Sequence, residues 1–139
     1  STRKESSAAS DVYKRQIIHS AKGKAFVAHM YIYDWAKDKE QFINEIIDNY
    51  KIDGIECYYT KFSDEQSKYI SELCEERNLY KSGGCDYHGT NKPGIQLGMG
   101  FGNLHIPDYI INDWNREKWY TKLFKRRQLL LKSGSFQMN

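Results

Sequence analysis

The chain has 139 residues, of which 40% are hydrophobic and 28% charged, and it carries a formal charge of +3. That balance suits one soluble globular domain able to bury a core, and so small a charge excludes a general nucleic-acid-binding signature. No apolar run reaches membrane-spanning length and no signal peptide is visible, while three widely spaced cysteines, Cys57, Cys74 and Cys85, without a CxxC pair, argue against a disulfide framework or thiolate zinc and for a reducing cytoplasm.

Residues 1–16, STRKESSAASDVYKRQ, are polar and lack periodicity. The stretch Asp11–Gln16 is what GATGTGTATAAGAGACAG encodes, a string resembling the end of a transposon-derived sequencing adapter. The segment is expected to be non-native or disordered and to stand outside the fold. On that reading the natural protein begins upstream of Ile17.

From there the pattern alternates. Lys24–His29 is a short apolar run ending in a polar residue and predicts a buried strand. Asp38, with Gln41 three residues on, predicts a capped helix whose apolar face holds Phe42, Ile43, Ile46, Ile47 and Tyr50. Gly54–Tyr59 predicts a second strand, close to continuously apolar. Ser63 and Gln66 form a capping box ahead of a helix with Tyr69, Ile70, Leu73 and Cys74 on one face, which Asn78 terminates. A third strand falls within Leu79–Cys85, where Gly83 and Gly84 signal close backbone approach. A glycine-rich loop, Gly89 to Gly102, then leads to Pro107, suited to the first turn of a short helix.

Strand, helix, strand, helix, strand with short connections implies a parallel sheet with right-handed crossovers. Three such strands read as a segment of a larger α/β barrel. Residues 17–113 form this part, and residues 114–139 form a basic amphipathic helical tail. That tail suits packing on its own domain better than a membrane surface.

His29 ends the first strand, and Asp86 and His88 end the third in GGCDYHG. Residues i and i+2 of an extended segment point to one side, so Asp86 and His88 aim a carboxylate and an imidazole at a common point. The C-terminal strand ends form the active face of an α/β barrel, where His29 converges from a neighbouring strand. One carboxylate and two imidazoles suit Zn, Mn or Fe, and such an ion polarises a phosphoryl oxygen and activates water. On spacing alone the signal is weak: D-x-H occurs by chance, and a histidine after an apolar run is more often a hydrogen-bonded structural residue.

The strings KAFVAHMYIY, IDGIECYY and LYKSGGCDYHGTNKPGIQLG, between Lys24 and Gly98, resemble in order and spacing the last three strand motifs of PHP (polymerase and histidinol phosphatase) phosphoesterases. There the strands end Ala-His-Pro, then Gly-Ile-Glu-Val-Tyr-Tyr, then Gly-Gly-Ser-Asp-Phe-His-Gly. The resemblance covers about Lys24 to Asp113. It implies the C-terminal portion of a distorted, seven-stranded TIM-like barrel holding up to three divalent transition metal ions, with His29, Asp86 and His88 as ligands. Glu56 stands at the family's glutamate, either orienting a ligand or lysine or serving as an ordinary solvated or ion-paired carboxylate.

The chain departs from the pattern at Met30, where proline is usual, at Cys85, where serine is usual, and at Lys61-Phe62, where a histidine often follows the tyrosines. The paired His-x-His and the acidic ligands of the family's early strands are absent. A cytoplasmic phosphoesterase fragment is therefore expected, inactive by itself without its N-terminal half, whose full-length form hydrolyses a small phosphorylated substrate, a nucleotide or an oligonucleotide end. Histidinol phosphate is the alternative substrate, and a non-catalytic binding module the alternative class. His105 reads as surface or structural, His19 carries no signal, and Cys85 reads as a small buried side chain.

Overall fold

The computed structural model describes residues 12–115. A helix over residues 12–20, α1, precedes strand β1 (Phe26–Val27), helix α2 (Lys39–Tyr50), strand β2 (Gly54–Tyr59), helix α3 (Asp64–Glu76), strand β3 (Tyr80–Gly84) and helix α4 (Tyr109–Asn115). Residues 12–16 of the adapter-like segment thus lie in α1, and Trp114 and Asn115 of the expected tail lie in α4. The rest of both expectations, residues 1–11 and 116–139, falls outside the described residues. Two compact units divide after Pro107.

The fold is mixed α/β. The strands form a parallel sheet in the order β1-β2-β3, so β2 is central. Ile43 of α2, Ile55 and Cys57 of β2, and Ile70, Leu73 and Cys74 of α3 join Met30 in one buried cluster. Each such fully buried aliphatic side chain contributes about 1.5–3 kcal/mol relative to exposure, which is what holds both helices on the sheet. No helix among the described residues is long and apolar enough to cross a membrane.

The caps follow the local sequence. Asp38 accepts from the backbone N–H of Gln41 at 2.8 Å and so starts α2. The Gln41 amide donates forward to Glu45 at 2.9 Å instead of closing the box. Ser63 and Gln66 make the full reciprocal box at α3. Asn78 ends α3 with φ 55, a left-handed turn that asparagine tolerates better than most residues.

Strand β1 is shorter than the apolar run Lys24–His29 predicts. His29 leaves extended geometry at φ 34 and ψ 50 and opens a 3-10 turn over Met30–Ile32. Strand β2 contains an irregularity between Glu56 and Tyr58, where its register against β3 shifts. An extra residue there changes which side chains share a face. Glu56 and Tyr59, three residues apart, both reach His29, while Ile55, Cys57 and Tyr58 belong to or pack against the core cluster. A regular strand would send residues i and i+3 to opposite faces.

At the N-terminal edge, Asp53 Oδ2 accepts from the Ala25 N–H at 2.7 Å and lies 2.6 Å from His19 Nε2. The Asp53 N–H donates to Ala25 O, and its own carbonyl accepts from Tyr80 N. One residue therefore ties α1, β1, β2 and β3 together.

Candidate metal centre

The C-terminal edge of the sheet gathers the sequence-predicted residues. His29 lies two residues beyond β1 and Asp86 two residues beyond β3, so the two flank β2 where adjacent strands had been expected. Tyr59, the last residue of β2, bridges them. Its hydroxyl donates to Asp86 Oδ2 at 3.1 Å, and its ring centroid lies 5.7 Å from that of His29. Tyr33 meets the same imidazole edge-on, also at 5.7 Å. Among the described residues, His29 Nδ1 is buried and has no hydrogen-bond partner.

Both His29 and Asp86 are non-glycine residues with positive φ, 34 and 56. Such conformations are sparsely populated and persist where surrounding contacts over-determine them. At His29 the contact is Glu56, whose Oε2 accepts the His29 backbone N–H at 2.6 Å. The other carboxylate oxygen sits over Gly84, where a Cβ would approach Oε1 to 2.7 Å. Glu56 is thus half-buried and fixes the backbone of His29. Burial raises its pKa, and the His29 N–H opposes that rise. Gly83 likewise has no room for a side chain, since a Cβ would meet Ile106 at 2.9 Å.

Asp86 is a hub of side chains. Oδ2 accepts from Tyr59 and from the Lys92 ammonium, and Oδ1 lies 3.3 Å from His88 Nδ1. Lys92 holds the carboxyl below the usual aspartate range, with Tyr59 adding to the effect against desolvation. Burial first, and the bond to Asp86 second, push the Tyr59 hydroxyl up to about 12, so it stays protonated and donates at neutral pH. His88 is exposed, and its Nδ1 lies 2.7 Å from the carbonyl oxygen of Asp86. A carbonyl only accepts, so Nδ1 carries the proton in that bond, and in the neutral imidazole Nε2 keeps its lone pair. This is the tautomer that metal-ligating histidines adopt when the other ring nitrogen donates to an acceptor.

The residues thus fit a cation in three respects: a buried imidazole nitrogen lacking a partner, a pre-oriented carboxylate, and an imidazole with a free lone pair. As they stand, among the described residues no group of three His, Cys, Asp or Glu side chains is arranged to hold a metal ion. Asp86 and His88 are together, while His29 is joined to Asp86 only through Tyr59.

Tyr59 and Lys92 are the residues that sequence reasoning passed over. Strict alternation from Glu56 assigns Tyr58 to the site face, and only the irregularity near Cys57 substitutes Tyr59. Lys92 sits in a loop whose path no periodicity foretells. Cys85 is buried, and its sulfur accepts from Gly98 N at 3.3 Å, a packing role as expected. His105 is exposed. A groove of about 770 Å³, lined by Phe26, Val27, Tyr33, Trp35, Phe42 and Ile46 among others, includes none of the candidate ligands, although Tyr33 also touches His29.

No protein-family model matches the chain, and no curated protein sequence matches it.

Proposed function

We propose that His29, Asp86 and His88 belong to the metal centre of a phosphoester hydrolase, set in a TIM-like barrel of the PHP type that the three strand motifs resemble. The observation that carries this reading is His29 Nδ1, buried without a partner beside the tyrosine that holds Asp86. An unsatisfied buried polar atom costs about 1–3 kcal/mol, and a metal ion is a partner that would remove that cost. In such a barrel the candidate residues occupy the C-terminal strand ends, the face where α/β-barrel active sites are built.

Zn, Mn or Fe suits the donor set, and when bound the ion polarises a phosphoryl oxygen and makes water a better nucleophile near neutral pH. The chain's own residues prepare the site. Glu56 fixes the backbone of His29, Tyr59 orients the Asp86 carboxylate, and the Asp86 carbonyl selects the His88 tautomer. The substrate class is a small phosphate ester, a nucleotide or an oligonucleotide end. Cys57, Cys74 and Cys85 are widely spaced, buried and without a CxxC pair, which supports a reducing, cytoplasmic setting.

Calorimetric titration of the chain with Zn and with Mn, beside Asp86→Ala, tests the reading. Binding by the chain and its loss in the variant support it. Equal binding by both removes the site from Asp86. Hydrolysis of p-nitrophenyl phosphate by an N-terminally extended chain, abolished by His88→Ala, tests the reaction class.

A further inference from the structure

Lys92 is a cation already seated on the carboxylate that the metal needs. Its ammonium donates to Asp86 Oδ2, the same oxygen that accepts from the Tyr59 hydroxyl. A carboxylate oxygen offers two lone pairs, so Oδ2 has both of them engaged. Oδ1 faces His88 Nδ1 at 3.3 Å. An ion approaching Oδ2 must displace one of the two donors. Tyr59 is the less mobile, since it is 3% exposed and its ring packs against His29 and Phe62. Lys92 is the more mobile, with 41% of its side chain exposed. Like-charge repulsion also sets the ammonium, and not the neutral hydroxyl, against an arriving divalent cation.

The backbone of Lys92 would stay where it is. Its N–H closes the 3-10 turn Gly89–Asn91 by donating to Gly89 O at 3.3 Å, and Pro93 follows directly. A four-carbon stem on a fixed pivot can swing its charge several ångströms without moving the loop. Released from Asp86, the ammonium remains beside the ion, within reach of an anion that the ion binds.

Resting on the metal-centre reading above, we infer that Lys92 is a stand-in cation: it neutralises Asp86 in the metal-free chain, competes with the metal for that carboxylate, and on displacement becomes a binding group for the phosphoryl oxygens of the substrate. It is a specificity-determining residue for an anionic ligand, and it also sets the affinity of the metal site. The two effects of its removal have opposite signs. Without the ammonium the metal binds more tightly, and the metal-loaded site binds phosphate more weakly. A lysine that merely stabilised the loop would, when removed, weaken both.

The test uses the full chain, Lys92→Met, Lys92→Arg and Asp86→Ala, with circular dichroism to establish that each is folded. Calorimetry measures Zn affinity, and then the affinity of the Zn-loaded proteins for inorganic phosphate. Lys92→Met is expected to bind Zn about fivefold more tightly, the scale of a partly exposed ion pair, and phosphate about fivefold more weakly. Lys92→Arg, which keeps the charge, should lie near the parent in both. Unchanged or weaker Zn binding in Lys92→Met overturns the inference, and so does tighter Zn binding with unchanged phosphate affinity. Should Asp86→Ala bind Zn as the parent does, the metal-centre reading fails and this inference falls with it. Loss of Zn binding in Asp86→Ala without a gain in Lys92→Met refutes the role of Lys92 alone.

Discussion

The sheet carries an aspartate hub at each end, and the two are joined to the molecule in different ways. Asp53, at the N-terminal edge, accepts from a backbone N–H and lies against His19, and its own backbone is bonded to Ala25 and to Tyr80. Asp86, at the C-terminal edge, directs its carboxylate, among the described residues, only to side chains: Tyr59, Lys92 and His88. A carboxylate bonded to backbone is part of the scaffold, because nothing can replace its partner without moving a strand. One bonded to a swinging lysine can exchange partners. The same residue type, next to a histidine in both places, therefore serves structure at one edge and a replaceable site at the other.

That contrast can be broken by mutation. Asp53→Ala should give the largest loss, about 2–3 kcal/mol, because it removes a charged acceptor from the Ala25 N–H. Urea denaturation measures this, and Asp86→Ala in the same experiment should cost less than about half as much. Equal losses would mean that Asp86 is scaffold too. Next comes Gly84→Ala, whose Cβ would press on Glu56 Oε1 at 2.7 Å. The carboxylate end can swing aside, so we expect only about 1 kcal/mol of destabilisation, together with weaker Zn binding as Glu56 is pushed off the His29 N–H. A stability loss with unaltered Zn binding would separate Glu56 from the site.

Tyr59→Phe is a gentler probe. It removes one hydrogen bond to Asp86 and keeps the ring against His29 and Phe62, for an expected cost of about 1 kcal/mol. The smallest effect is in pH. Lys92 depresses the folded pKa of Asp86, so the stability this pair contributes is present above the ordinary aspartate value and is lost as pH falls through the depressed one. Glu56, raised by burial, acts in the opposite sense and favours the fold as it is protonated. Its contribution is common to both proteins when the parent is compared with Lys92→Met. The variant should show a shallower loss of thermal stability below about pH 4. Parallel curves would leave Asp86 without a charged partner in solution.

Much of the framework was legible locally. Gly54–Tyr59 is the strand that its β-forming residues specify, Ser63 and Gln66 cap their helix reciprocally, and Asn78 ends it in the left-handed region. The helix faces also matched, because Ile43, Ile70, Leu73 and Cys74 recur at helical spacing and are buried together. The candidate site was legible only in outline. Asp86 and His88 stand near each other because a single residue of chain separates them, a local matter, although Asp86 is left-handed and not extended as the i, i+2 reading assumes. The short β1 was not foreseen, since the apolar run through Ala28 gives no sign that His29 turns left-handed.

The sequence by itself determined what depends on neighbours in the chain: caps, helix faces, the central strand, and a carboxylate and an imidazole set two residues apart. Tertiary structure alone decided what depends on distant partners. The register shift in β2 chose Tyr59 over Tyr58 for the site, Glu56 and Gly84 met across two strands, and Lys92 came to Asp86 from a loop. The physical reason is that periodicity records which face a residue prefers. Where the backbone bends, bulges or loops, strand pairing and packing determine what that face meets.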